Sequence, residues 1–170
     1  TWEGSLMAMA GKDPLFFAQL TTANQDVANV GSYCIRCHVP MSITSGTASD
    51  PTGASLTMRD RDGVNCHFCH SMVDPIYKPG ISPERDAGIL AALDEVPAFY
   101  GNAMLVLDPE GLRRGPYEES GAPHQAIGSA FHRSGDFCGS CHDVGNLAVS
   151  KLDDGTYRYN LDRKNTRLNP

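Results

Sequence analysis

A small fold, mainly α-helical with much irregular structure, is what this sequence predicts, on three observations. Gly (17) and Pro (11) are frequent in 170 residues, which marks many turns and little regular structure. Three stretches open with helix-start signals. All six Cys fall into Cys-x-x-Cys pairs, each followed at once by His: Cys34-Ile35-Arg36-Cys37-His38, Cys66-His67-Phe68-Cys69-His70 and Cys138-Gly139-Ser140-Cys141-His142. The length suits one domain, taken as residues 1–161, followed by a polar tail at 162–170 without apolar periodicity.

The elements follow from local chemistry. Asp13-Pro14 ahead of Leu15, Phe16, Ala18 and Leu20 reads as a helix with Asp at the cap and Pro at the first position, running to about Asp26. Residues 42–63 are polar and turn-rich, a long surface loop. Ser82-Pro83-Glu84 opens a second helix carrying Ile89, Leu90 and Leu93 and stopping before Pro97. Ala103 to Leu107 reads as a short strand and Gly111 to Gly121 as a loop. Ser120 and Pro123 start a third helix through His132. Leu147–Lys151 and Thr156–Asn160, around Asp153-Asp154-Gly155, read as a short C-terminal β-hairpin.

The segment Cys-x-x-Cys-His is the attachment sequence for c-type haem. Two thiols three residues apart meet the two vinyl groups on one porphyrin edge, and the next residue lies under the ring, where imidazole reaches iron. The reading is three covalently attached haems, held by Cys34, Cys37, Cys66, Cys69, Cys138 and Cys141, with His38, His70 and His142 as proximal iron ligands. Structural zinc also uses Cys-x-x-Cys but takes four ligands per ion and does not require His after each pair. A disulfide scaffold leaves the three adjacent His unexplained. A thioredoxin-like pair needs a βαβ context, which the pattern lacks. The segments are separated by 32 and then 72 residues, which argues against a tandem array.

Three further His remain: His67, His124 and His132, one for each iron, which points to bis-His ligation. On a helix, His124, Gly128 and His132 at i, i+4 and i+8 share a face. The imidazoles would be about 12 Å apart along the axis and Gly128 would let a porphyrin approach. His67 sits inside the second segment, poorly placed for its own iron and directed most naturally toward the first haem. Among the Met, Met41 and Met58 are reserve ligands and the rest packing residues.

The net charge is −6 and no apolar run reaches membrane-spanning length, so neither nucleic acid nor a membrane span is expected. Arg (10) outnumbers Lys (4), and Arg grips carboxylates bidentately. Arg36, Arg59, Arg61 and Arg133 are candidate anchors for haem propionates. Haem attachment is completed outside the cytoplasm, so a periplasmic or extracellular location is expected, with a signal removed or the chain cut from a longer one.

These residues resemble the multihaem c-type cytochromes, and a secreted bacterial group among them in particular. The resemblance is carried by Trp2-Glu3-Gly4-Ser5, Lys12-Asp13-Pro14, Ala23-Asn24-Gln25-Asp26, Cys34–His38, Asp62-Gly63-Val64-Asn65-Cys66–His70, and Phe131-His132-Arg133-Ser134 leading into Phe137–Val144. Met41-Ser42-Ile43-Thr44 departs from the group's aromatic and Arg after Pro40. The resemblance implies a small multihaem cytochrome c fold organised around stacked haems and extracytoplasmic electron transfer, often within a longer polypeptide or assembly. The expected role is an electron carrier, or a subunit of a larger cytochrome complex or filament, with redox proteins or copies of itself as partners. Bis-His irons have no open position, so no enzyme is expected. The competing reading is a reductase with one open haem acting on a small nitrogen or sulfur oxyanion.

Overall fold

The computed structural model describes residues 2–119, 121–145 and 149–159; the tail at 162–170 lies outside them. Helix is the main regular structure among the described residues, with a few short strands and long irregular connections. The helices are α1 (Leu6–Met9), α2 (Pro14–Asp26), α3 (Gly31–His38), α4 (Pro40–Thr44), α5 (Cys66–Ser71), α6 (Glu84–Ala91) and α7 (Gly135–His142). Short 3-10 turns cover Trp2–Gly4, Asp60–Asp62 and Ala130–Arg133. Strands β1 (Met72–Val73) and β2 (Val106–Leu107) pair antiparallel, β3 (Arg113–Gly115) and β4 (Ala126–Gly128) pair parallel, and β5 (Val149–Lys151) and β6 (Tyr157–Tyr159) form an antiparallel hairpin. No helix among the described residues is long and apolar enough to cross a membrane.

Each Cys-x-x-Cys-His segment is helical: the first ends α3, the second begins α5 and the third ends α7. α2 forms as its sequence requires, with the Asp13 carboxylate accepting from Leu15 N (2.9 Å) and Pro14 at the first position. Its buried Phe16 and Leu20 pack on Ile35, within the first segment, and Val39, just after it, closed by Leu56. Asn24 ties α2 to the start of α3, since its Oδ1 accepts from Gly31 N (3.0 Å) and its Nδ2 donates to Pro51 O (2.9 Å). A side chain on Gly31 would overlap the Pro51 carbonyl oxygen. The N-terminal turn braces the second segment: the Trp2 indole donates to Val64 O (3.0 Å) and Val64 N to Met7 O (3.0 Å).

A second core cluster, Phe68, Met72 and Phe131, joins α5 to α7 and takes in Met41, Cys69, Tyr100 and Phe137. A third, Val73, Leu90 and Val106, seats α6 on the β1–β2 pair. α6 runs from Glu84 as expected and ends at Ala91, leaving Leu93 in the following turn. The 42–63 stretch is turn-rich, but its first residues complete α4 and Asp60–Asp62 is a 3-10 turn. The expected loop at 111–121 contains β3.

The main correction is at 123–132. No helix forms there: residues 126–128 are β4, paired to β3, and 130–133 are a 3-10 turn. Gly128 lies against the Glu118 carboxylate. His124 and His132 therefore share no helical face. The C-terminal hairpin appears where expected, with Val149 opposite Tyr159 and Gly155 at φ +82° in the turn. Its outermost expected residues, 147, 148 and 160, lie outside the described residues.

Candidate functional site

The three helical segments, far apart in sequence, pack together. The Cys37 Sγ lies 3.9 Å from the carbonyl oxygen of Cys141, and the two thiols interact. That contact pulls the Cys37 pKa down and pushes Cys141 up. Cys69 is near enough to Cys66 and Cys138 to feel both; burial is the larger effect and raises it to about 11. None of the six Cys is in a disulfide, and Cys66 and Cys138 are exposed.

The second segment has the most fully built surroundings. His70 Nδ1 donates to the Arg114 carbonyl oxygen at 2.6 Å. A ring proton on Nδ1 leaves the lone pair on Nε2, the tautomer that a metal-binding imidazole uses when a carbonyl holds its other nitrogen. Arg114 is itself fixed. Its guanidinium is fully buried and donates to Asp108 Oδ2 (2.8 Å) and Asp86 Oδ1 (2.5 Å), with Arg85 reaching Asp108 at 3.0 Å. His70, Cys66, His67, Arg113, Tyr117 and His124 line one cavity of about 580 Å³, within the range of cofactor sites.

The first segment has a smaller cleft, about 450 Å³, between α2 and α3, lined by Cys34, His38, Leu15, Phe16 and Gln19. His38 stacks on Phe16 with ring centres 4.1 Å apart. Burial lowers the His38 pKa, partly countered by the Ala10 carbonyl beside it. His142 is exposed and close enough to His38 to act on it electrostatically.

The remaining His all lie around the second segment. His124 is exposed on the cavity that His70 lines. His67 stands on the same wall, beside Gly111 and Arg113. This is the second segment's own side, whereas the sequence directed it to the first. Burial and then the Arg113 charge lower its pKa. His132 lies inside, packed against Phe137 (4.6 Å) and 6.4 Å from the His70 ring. Its Nε2 donates to Cys69 O at 3.0 Å, and its buried Nδ1 has no hydrogen-bond partner among the described residues. Burial is the largest effect on the His132 pKa and lowers it, partly countered by the Cys69 carbonyl.

The Arg residues expected near haem carboxylates are partly used elsewhere. Arg36 donates to Ala103 O (3.0 Å), Arg61 stacks over Phe17 (4.5 Å), and Arg59 and Arg133 are exposed. Arg113, on the cavity wall and anchored to Ser71 Oγ at 3.0 Å, is better placed. Sequence reading missed it because nothing local links residue 113 to the second segment. Met41 packs in the core, and Met58 is 81% exposed.

One loop holds the first and third segments to each other. Gly101, Asn102 and Ala103 are all left-handed (φ +108°, +52° and +53°). Two consecutive non-Gly residues in that region cost about 1–2 kcal/mol each. Fixed contacts offset this. Asn102 N donates to Asp143 O (2.9 Å) and Ala103 N to Ser140 O (2.8 Å). Asn102 Oδ1 accepts from Tyr33 Oη (2.6 Å) and Gly145 N (2.8 Å).

Among the described residues, no group of three or more His, Cys, Asp or Glu side chains is arranged to hold a metal ion. A four-ligand zinc site needs such a group; a haem iron, whose porphyrin fills the equatorial positions, asks only for axial ligands. The donor set around His70 fits a thioether-bound haem: two thiols, an imidazole with its second nitrogen tied, and an adjoining cavity with a cation on its wall. No family model, curated protein or solved structure matches the chain.

Proposed function

We propose that this chain is an electron-transfer protein of the multihaem cytochrome c type, carrying three covalently attached haems. The observation that carries the reading is the convergence of three Cys-x-x-Cys-His helices, with Cys37 against Cys141 and Cys69 near Cys138. Independent attachment sites would not need to meet; a relay of redox groups does. Cys34, Cys37, Cys66, Cys69, Cys138 and Cys141 are the thioether positions, and His38, His70 and His142 the proximal ligands. His67, His124 and His132 are the candidate distal ligands. When bound, haem supplies a one-electron change of oxidation state at iron, and bis-His ligation favours low potentials.

The chain's own residues do the tuning. The Arg114 carbonyl holds Nδ1 of His70 and so orients its imidazole. Arg113, on the wall of that cavity, would supply a positive charge to a haem propionate. Phe16 holds His38 flat against α2. The net charge of −6 favours redox partners with basic surfaces over nucleic acid. Such partners, or neighbouring copies of the chain, would be met in the periplasm or outside the cell.

Visible and electron paramagnetic resonance spectra of the ferric protein test the role. Low-spin signals from every haem support an electron carrier. A high-spin haem that binds cyanide or nitrite supports a reductase and contradicts the proposal.

A further inference from the structure

The left-handed loop Gly101–Ala103 touches the first and third segments and belongs to neither. From the first it takes the Tyr33 hydroxyl, one residue before Cys34, and the Arg36 guanidinium, which lies between Cys34 and Cys37. From the third it takes the carbonyls of Ser140 and Asp143 and the amide of Gly145, which flank Cys141-His142. Asn102 is the centre of this arrangement, 9% exposed, with its one carboxamide oxygen accepting from both sides. The backbone is committed to the same task. A Cβ on Gly101 would sit 2.7 Å from Asp143 O, so the loop approaches the end of α7 too closely for a side chain there. The segments so clamped are the ones whose thiols, Cys37 and Cys141, meet across 104 residues of sequence.

We infer that Asn102 is a positioning residue that sets the separation and orientation of the first and third haem-attachment segments, and so the electronic contact between the two groups they carry. The electron-transfer half of this statement rests on the haem reading above; the clamping half does not. Glu or Gln at 102 would be too long for a site that accepts from Tyr33 and Gly145 at under 3 Å. Asp keeps both acceptor contacts and Ala removes them.

The experiment compares the wild-type chain with Asn102→Ala, Asn102→Asp and Tyr33→Phe. Intact mass first decides whether the purified protein carries haem. If it does, electron paramagnetic resonance of the ferric state reads the magnetic interaction between haems. The expected result is loss of one pairwise interaction in Asn102→Ala with three low-spin haems retained, partial loss in Tyr33→Phe, and recovery in Asn102→Asp. If the chain carries no haem, the haem reading fails on its own. The clamp is then read by oxidising the free thiols with glutathione disulfide. Two thiols give up two electrons and two protons to form the Cys37–Cys141 bond, and glutathione disulfide takes them to become two glutathiones. A Cys37–Cys141 cross-linked peptide is expected from wild type and Asn102→Asp and is expected to be lost in Asn102→Ala. Unchanged coupling in the first case, or unchanged cross-linking in the second, overturns the inference. Tyr33→Phe keeps it testable if Asn102→Ala does not fold.

Discussion

The Nδ1 of His70 lies 2.6 Å from the carbonyl oxygen of Arg114, 44 residues along the chain. The strand holding that carbonyl is pinned by the buried Arg114 guanidinium between Asp86 on α6 and Asp108 after β2. Removing one partner of a buried ionic group leaves the others uncompensated, at about 3–5 kcal/mol. Arg114→Met is expected to lower unfolding free energy by that amount in urea denaturation. A loss below about 1 kcal/mol would mean the cluster does not hold the strand.

His124 stands with His70 on the wall of one cavity. His124→Ala is expected to convert one haem from low to high spin, seen in the ferric visible spectrum. Met58→Ala, at an 81% exposed position, is expected to change nothing. An unaltered spectrum for His124→Ala removes it from the ligand set.

The sequence made parts of this arrangement legible and hid others, for reasons that differ by element. α2 was readable because Asp13 and Pro14 act within one turn of it. The hairpin turn at Asp153-Asp154-Gly155 was readable for the same reason, Gly155 taking the positive φ it needs. The 123–132 stretch misled because His124, Gly128 and His132 imitate a helical face. Gly121, Pro123 and Gly128 are weak helix formers, and pairing with β3, which the Arg114 ion cluster fixes, prevails there. The six thiols and the His that follows each pair stood out through spacing alone. Their neighbours did not, since Arg114, Arg113 and Asn102 reach the segments only through tertiary contact.

Gly31 opens α3, the helix of the first Cys-x-x-Cys-His segment, where a side chain would overlap the Pro51 carbonyl oxygen. Overpacking against backbone costs about 1–3 kcal/mol. Gly31→Ala is expected to lower the melting temperature measured by circular dichroism, while Gly88→Ala, on α6 with open space around it, is expected to leave it unchanged or raise it. Equal behaviour of the two would contradict the packing.

Asp60 is buried and accepts from Thr47 Oγ1 (2.9 Å), Thr57 N (2.7 Å) and Thr57 Oγ1 (2.7 Å). Burial alone would raise its pKa, but the bonds from Thr57 and Thr47 and the charge of Arg59 outweigh it, and the net shift is downward. A carboxylate with a depressed folded pKa contributes stability that is fully present above the unfolded value, about 3.9, and is lost as pH falls through the folded value. The stability gap between wild type and Asp60→Asn is therefore expected to hold from neutral pH down to about pH 4 and then narrow. Melting temperatures of both proteins across that range check it; a gap constant to pH 2 would contradict it.

Covalent haem at all three segments is the basis of the proposed electron transfer, and the intact mass of the purified protein under denaturing conditions tests it most directly. The expected result is a mass increased by three haems, with peptides spanning Cys34–His38, Cys66–His70 and Cys138–His142 each carrying one. An unmodified mass with six titratable thiols would contradict it.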